Sequence, residues 1–346
     1  MSPPSVAPST PRSKAASRSS GRRQRHNQVR RAASAALRFL RSFDLPRFVS
    51  VGECMIEMSG GEDGNYRLGY AGDTLNTAWY ARAMLPEEWD VDYVTALGDD
   101  LYSGQMADFF DENGIGVDYI QMVEGRRPGL YMIHQQDGDR HFTYWRGQSA
   151  ARYMAEDPEA LYEAFEGADI AYFSGISLAI LHARARGKLL KALHLAKQGG
   201  ARVVFDPNER PALWTSPAVM GSTIAAAAIL ADVVLPTFPD EQALFGDASP
   251  EAVAERYLSW GAEEVVVKNG AEPAFVAARE SRGFVAPKPG AKSVDPTGAG
   301  DSFNGAYLAA RAQGLSPLDA AAEAHALAAI VIGHKGALVP HEKLAG

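Results

Sequence analysis

The sequence predicts an α/β fold in three layers: a mostly parallel central sheet covered by helices on both faces, with a small β-sheet lid. Three observations carry that prediction. From Arg47 onward, apolar runs of strand length alternate with Ala- and Leu-rich stretches of helix length; a glycine-rich turn near the C-terminus leads straight into an amphipathic helix; and two hairpin-like segments break the rhythm. Composition agrees with this class, since 346 residues with 46% hydrophobic and 22% charged side chains describe an ordinary globular protein. Apolar runs stay short of the roughly 18 uncharged residues a spanning helix needs, so a soluble protein without membrane contact is expected. Cys54 is the single cysteine, which rules out an internal disulfide or Cys-based zinc site and suits a reducing, cytoplasmic setting.

Taken in order, residues 1–46 form a basic extension rich in Ser, Pro and Arg, too poor in large apolar side chains to offset the entropy of ordering, and so expected to be disordered. The net charge of −8 is uneven: residues 1–43 carry ten Lys or Arg and no acid, leaving −18 for the rest. The head resembles an organelle transit peptide superficially; a solvated extension or an upstream start codon are the plainer readings. An acidic body argues against nucleic acid as a partner.

The body, residues 47–340, opens with the apolar run 48–58, read as one buried strand entering a polar loop. Further strands are expected at 93–97, 170–173, 202–206, 233–235, 264–268 and 274–278, because each is a short β-branched or aromatic run bounded by turn residues. Helices are expected between them at 73–84, 102–113, 182–198, 219–231, 250–260 and 301–313. The two exceptions are residues 60–70 and 122–146. In the second, apolar positions alternate through Leu130, Met132, Phe142 and Tyr144 around the turn Asp137-Gly138-Asp139. Both segments, about 59–70 and 122–146, are candidates for the lid, and residues 341–346 form a C-terminal tail.

The chemistry concentrates in Asp295-Pro296-Thr297-Gly298-Ala299-Gly300-Asp301-Ser302-Phe303. A polar glycine-rich turn opening a helix presents unpaired N–H groups and the positive end of the helix dipole, a site that favours an anion. Small residues let a phosphate approach the backbone. The run is not a Walker A loop, and Phe303 breaks any Gly-x-Gly-x-x-Gly match. Asp301 has two readings: an acid satisfying first-turn N–H groups, or a base taking the proton of an attacking hydroxyl while Gly298, Ala299 and Gly300 form an anion hole. The fragment alone leaves both open.

This run resembles the second signature of the PfkB, or ribokinase-like, carbohydrate kinases. The resemblance extends over about residues 47–340 through Val51-Gly52-Glu53-Cys54-Met55-Ile56-Glu57-Met58, Ala71-Gly72-Asp73-Thr74-Leu75-Asn76-Thr77, Arg127-Pro128-Gly129-Leu130-Tyr131, Tyr144-Trp145-Arg146 and Phe205-Asp206-Pro207-Asn208-Glu209-Arg210. It implies the ribokinase-like fold, ATP and Mg²⁺ as cofactors, Asp301 as catalytic base, and a lid that often joins copies into a homo-oligomer. Within the family it is greatest to kinases of 2-keto-3-deoxygluconate, which implies a sugar-acid substrate phosphorylated on its terminal hydroxyl. Fructokinase- or ribokinase-like specificity, and a non-catalytic sugar-acid sensor, are the competing readings.

Carried over by position, the resemblance places Gly72, Asp73 and Asn76 at the substrate hydroxyls and Tyr131 and Tyr144 on the lid. It gives the carboxylate to Arg146 and Arg210, whose planar guanidinium suits two parallel hydrogen bonds; a surface ion pair is the plain alternative for each. Asn208, Lys268, Asn269, Gly270, Gly298, Ala299 and Gly300 fall to ATP, with His325 and Ala328 near the adenine, although a histidine among alanines is more often packing. Cys54 reads as a small buried hydrophobe. Two departures stand out. Pro296 replaces a residue with an N–H in the anion-hole run. The acid that orders the waters of Mg²⁺ is Asp240 or Glu241, with Asp240 favoured, because the usual Asn-x-x-Glu run reads Thr237-Phe238-Pro239-Asp240 followed by Glu241.

Overall fold

The computed structural model describes residues 45–60, 64–136 and 139–344. Residues 1–44 of the basic extension lie outside them, as do the last two residues of the tail. The body, from Pro46 onward, is one compact unit.

Its main sheet runs in the order β13-β12-β11-β10-β9-β8-β1-β4-β5. The seven parallel strands are β1 (Arg47–Val51), β4 (Asp90–Leu97), β5 (Ile120–Met122), β8 (Ile170–Ser174), β9 (Arg202–Asp206), β10 (Val233–Val234) and β11 (Glu264–Val267), while β12 (Ala274–Ala278) and β13 (Arg282–Val285) close one edge antiparallel. Alternation sends β1 to two cores. Val49 and Val51 join one apolar cluster and Phe48 the other.

The first core is covered by α3 (Pro158–Phe165), α4 (Gly175–Ala179), α5 (Ala183–Gln198), α6 (Pro217–Ala228), α7 (Phe238–Phe245) and α8 (Pro250–Ser259). The second lies under α1 (Asp73–Met84), α2 (Leu101–Glu112), α9 (Ala299–Ala312) and α10 (Pro317–Val331). Three layers therefore form, as the strand and helix alternation predicts. A difference from that reading lies in residues 48–58, which make two elements. The chain leaves β1 at Gly52, turns, and re-enters as β2 (Met55–Gly60) of a second sheet ordered β3-β2-β6-β7. The lid is this sheet, with β3 (Tyr66–Ala71), β6 (Gly129–Gln136) and β7 (Asp139–Trp145).

Helix starts separate structural from functional ends. Asp100, Asp157, Ser174, His182, Ser216, Ser249 and Ser316 cap α2, α3, α4, α5, α6, α8 and α10 with their own side chains. By contrast α1, α7 and α9 begin at Gly72, Thr237 and Gly298 with no side-chain cap. These uncapped starts follow the carboxyl ends of parallel strands or face them, where open α/β sheets bind ligands. The switch point between β1 and β8, where the strand order turns back, lies within that edge.

Candidate active site

Close packing builds the centre of the cleft. Gly305 on α9 sits so tightly on α1 that a Cβ there would fall 2.7 Å from the Thr77 carbonyl and 2.8 Å from Cβ of Tyr80. That approach brings Asn76 Nδ2 to 2.8 Å from Asp301 Oδ2. Gly72 likewise meets the Glu53 carbonyl, 2.0 Å from an ideal Cβ, so only glycine lets the start of α1 press on the β1–β2 turn. Gly72, Asp73, Asn76 and Asp301 are thus one neighbourhood.

The glycine-rich turn forms despite Pro296. Its carbonyl accepts the Ala299 N–H at 3.2 Å, and Gly298 takes the left-handed conformation with φ 79°. Asp295 ties the turn down: Oδ1 accepts from Thr297 N at 3.0 Å and Oγ1 at 2.7 Å, and Oδ2 accepts from Gly336 N at 2.8 Å. The following strap is pinned by the Tyr80 hydroxyl, which donates to the Ala337 carbonyl at 2.7 Å and accepts the Val339 N–H at 3.1 Å. Trp79 Nε1 donates to the Val339 carbonyl.

Electrostatics mark Asp301 out. Burial, reinforced by the nearby Asp73 and Asp206 carboxylates, pushes its carboxyl up to about 7, against the opposing pull of Asn76 and Lys268. A base poised near neutrality matches proton abstraction from a hydroxyl. Beneath it lies a buried polar network. Lys268 Nζ donates to Asp206 Oδ2 and Asn304 Oδ1, both at 3.0 Å, while Asn304 Nδ2 donates to Asp206 Oδ2 at 2.6 Å and the Tyr172 hydroxyl at 3.2 Å. Lys268 therefore serves the floor of the cleft, close under Gly300, with Asn269 and Gly270 following at the end of β11.

Asn208 is placed by strain and by Asp73. Among the described residues it is the non-glycine residue with positive φ, 34°, its N–H donating to Asp206 Oδ1 and its amide to Asp73 Oδ2 at 2.7 Å. That sets its amide against the start of α1. Arg210 is exposed on the cleft, with Nη1 donating to the Glu209 carbonyl at 2.6 Å. Behind it Glu209 is buried, its carboxyl pushed up by desolvation and by the nearby Glu241 and Asp240.

The two acids proposed for the metal part company. Glu241 is fully buried, accepting from Arg256 Nη2 at 2.6 Å and the Tyr257 hydroxyl at 2.7 Å. Asp240 is half-buried in the first turn of α7; desolvation pushes its carboxyl up, against the opposing pull of Arg210 and Lys268, and it is the more accessible of the two acids. Among the described residues no group of three or more His, Cys, Asp or Glu is arranged to hold a metal on its own.

On the lid, Tyr131 is buried and its hydroxyl donates to Glu57 Oε2, while its ring lies 5.6 Å from Tyr144. Tyr131, Met55 and Ala71 pack with Ala337, so this face of the lid looks onto the strap and the cleft. Arg146 does not stand free: its Nε donates to Glu53 Oε2 at 2.9 Å, and Nη2 donates to the same oxygen. His325, expected near the adenine, is engaged in packing. Its ring is buried, packs edge-on against Phe303 at 5.0 Å and bonds the Val285 carbonyl at 3.1 Å, the packing role of a core histidine. Ala328, one helical turn on, is half-buried against the same core.

Sequence reasoning passed over Glu53, Glu57, Asp206, Glu209 and Asn304. The first two were visible as acids inside an otherwise apolar run, and Asn304 follows Asp301 at helical spacing on the face toward the sheet.

Comparisons with known proteins agree with this geometry. The family described as "pfkB family carbohydrate kinase" matches residues 46–344. The 2-dehydro-3-deoxygluconokinases of Dickeya dadantii and Escherichia coli K12 are each 40% identical over 301 residues, 85% of this chain and 97% of theirs. Among solved structures, a PfkB protein from Polaromonas sp. JS666 superposes with a TM-score of 0.75 at 27% identity, over 87% of this chain and 100% of that one. A fructokinase from Xylella fastidiosa with bound ATP gives 0.74 at 25% identity, over 84% and 93%. By that match along the body, this chain belongs to the pfkB family of carbohydrate kinases.

Proposed function

We propose that this protein transfers the γ-phosphoryl group of ATP to the terminal hydroxyl of 2-keto-3-deoxygluconate, giving 2-keto-3-deoxy-6-phosphogluconate. The observation that carries the reading is Asp301, held in the first turn of uncapped α9 with its carboxyl pushed up to about 7 and one oxygen fixed by Asn76. Relatives 40% identical across the body carry the name of a kinase for that sugar acid.

In this reading the sugar acid lies between the inner face of the lid and the start of α1. Asn76 and Asp73 orient it, and its carboxylate meets Arg146 and Arg210. Asp301 accepts the proton of the terminal hydroxyl as that oxygen attacks phosphorus, and the N–H groups of the Gly298–Gly300 turn take up charge on the transferring group. Asp240 would hold Mg²⁺ through water, and the ion would supply charge neutralisation on the phosphates. Closure of the lid keeps water from competing as acceptor. The opposite face of the lid, by strand alternation, carries Tyr66, Leu68 and Trp145, exposed at 39%, 39% and 56%. We assign that face to pairing between copies of the chain.

A coupled ADP-release assay over 2-keto-3-deoxygluconate, 2-keto-3-deoxygalactonate, fructose and ribose tests the substrate. Turnover confined to the keto-deoxy acids is expected; faster turnover of a neutral sugar overturns the sugar-acid assignment.

A further inference from the structure

Glu53 lies in the turn between β1 and β2, and its carboxylate is wholly enclosed, with a side-chain exposure of 0% against 12% for Arg146. Its two oxygens are used unequally. Oε2 takes both bonds from Arg146, whereas Oε1 is shut from solvent with no hydrogen-bond partner. The enclosure is built by Gly129 at the start of β6, where a Cβ would fall 2.9 Å from Oε1 and 3.2 Å from Cβ of Arg146. A buried carboxylate with one bare oxygen is unfavourable, and such groups persist where they hold something else in place.

The geometry of the pair says what is held. Glu53 occupies the Nε–Nη2 edge of the guanidinium and leaves the Nη1 end without a bond among the described residues. Arg146 directly follows β7, the last lid strand, so the same contact ties that strand to the β1–β2 turn on which α1 begins. We propose that Glu53 is the positioning residue for sugar-acid recognition: it clamps the side edge of Arg146 so that the free end meets the substrate carboxylate as a fixed fork. The pair is neutral as a unit, so selection of the acid rests on hydrogen-bond geometry more than on bare charge. Glu53 itself does not touch substrate. This inference rests on the reading of Arg146 as a carboxylate ligand.

The test is a kinetic cycle on 2-keto-3-deoxygluconate with wild type, Glu53→Ala, Glu53→Gln, Arg146→Ala and the double alanine variant. Glu53→Ala is expected to raise the KM for the sugar acid by about tenfold or more while the KM for ATP stays within about twofold. Glu53→Gln, which keeps an acceptor for the Arg146 edge, should recover most of that loss. In the Arg146→Ala background the Glu53→Ala change should add no more than about twofold, because the residue it acts through is gone. An unchanged KM in Glu53→Ala, or an equal effect in the Arg146→Ala background, overturns the proposal while leaving the kinase reading intact. If Glu53→Ala fails to fold, Gly129→Ala, which crowds the same oxygen, must raise the sugar-acid KM alone or the proposal falls. A wild type inert toward sugar acids overturns the parent reading and this one with it.

Discussion

Asp301 is where one residue carries both chemistry and a stability cost. Its folded carboxyl sits near 7, above the ordinary value near 4, so the native state binds the proton more tightly than the unfolded chain. Stability contributed through this group is therefore greatest at low pH and falls as pH rises from about 4 to about 7. Asp301→Asn, which removes the buried charge, should raise the denaturation midpoint at pH 8, a gain on the order of 1–3 kcal/mol measured by urea unfolding. The same shift sets activity in the opposite sense. The base works only when unprotonated, so kcat/KM should fall about tenfold per pH unit below about 7. Asn76 opposes the shift by donating to Oδ2; Asn76→Ala should move that acid limb to higher pH, read from the kcat/KM profile.

At the scale of elements, the turn and the strap behind it decide whether the anion hole has its shape. Gly298 has φ 79° and its missing Cβ would fall 2.7 Å from the Ala337 carbonyl, so Gly298→Ala meets both backbone strain and a clash. A loss of at least about 1–2 kcal/mol is expected in urea unfolding, with a rise in the KM for ATP. Tyr80→Phe strips the strap of its shared hydroxyl and leaves two buried backbone groups unpaired, which should cost about 1–3 kcal/mol in the same measurement. These elements differ in how legible they are in sequence. The helices at Asp73–Met84 and Ala299–Ala312 announce themselves by glycine followed by apolar periodicity. The break at Gly52 does not, because residues 48–51 and 55–58 are equally apolar and the β1–β2 turn is fixed by α1 pressing on it, a tertiary cause. The α3, α4 and α7 helices are not legible because they are short, whereas α10 reads as helical around His325 and Ala328 but without bounds, because so alanine-rich a run marks its apolar face weakly.

For the whole molecule, the strand order gathers the ends of β1, β8, β9, β10 and β11 along one edge and lays a second sheet beside it. The α/β alternation and the lid were readable from period and turn residues. The pairings inside the cleft were not, because Asn76 with Asp301, Asn208 with Asp73 and Arg146 with Glu53 join residues 225, 135 and 93 positions apart. His325 shows the reverse limit: its spacing on a helix near the nucleotide motif could not tell packing from binding until the ring was seen against Phe303. The lid's outer face belongs to this scale too. Replacing Leu68 and Trp145 together by Glu should shift the protein to a smaller species in sedimentation velocity, with unchanged circular dichroism. A wild type that already sediments as a monomer would remove that face from any role in assembly.

The central claim is that Asp301 is the general base of sugar-acid phosphorylation, and single-turnover transfer to 2-keto-3-deoxygluconate by Asp301→Asn beside wild type tests it most directly. The account predicts that ATP and the sugar acid still bind the variant, by calorimetry, with affinities near those of wild type, while transfer slows by about 10²–10⁴-fold. Transfer at a near-normal rate with both ligands bound would contradict it.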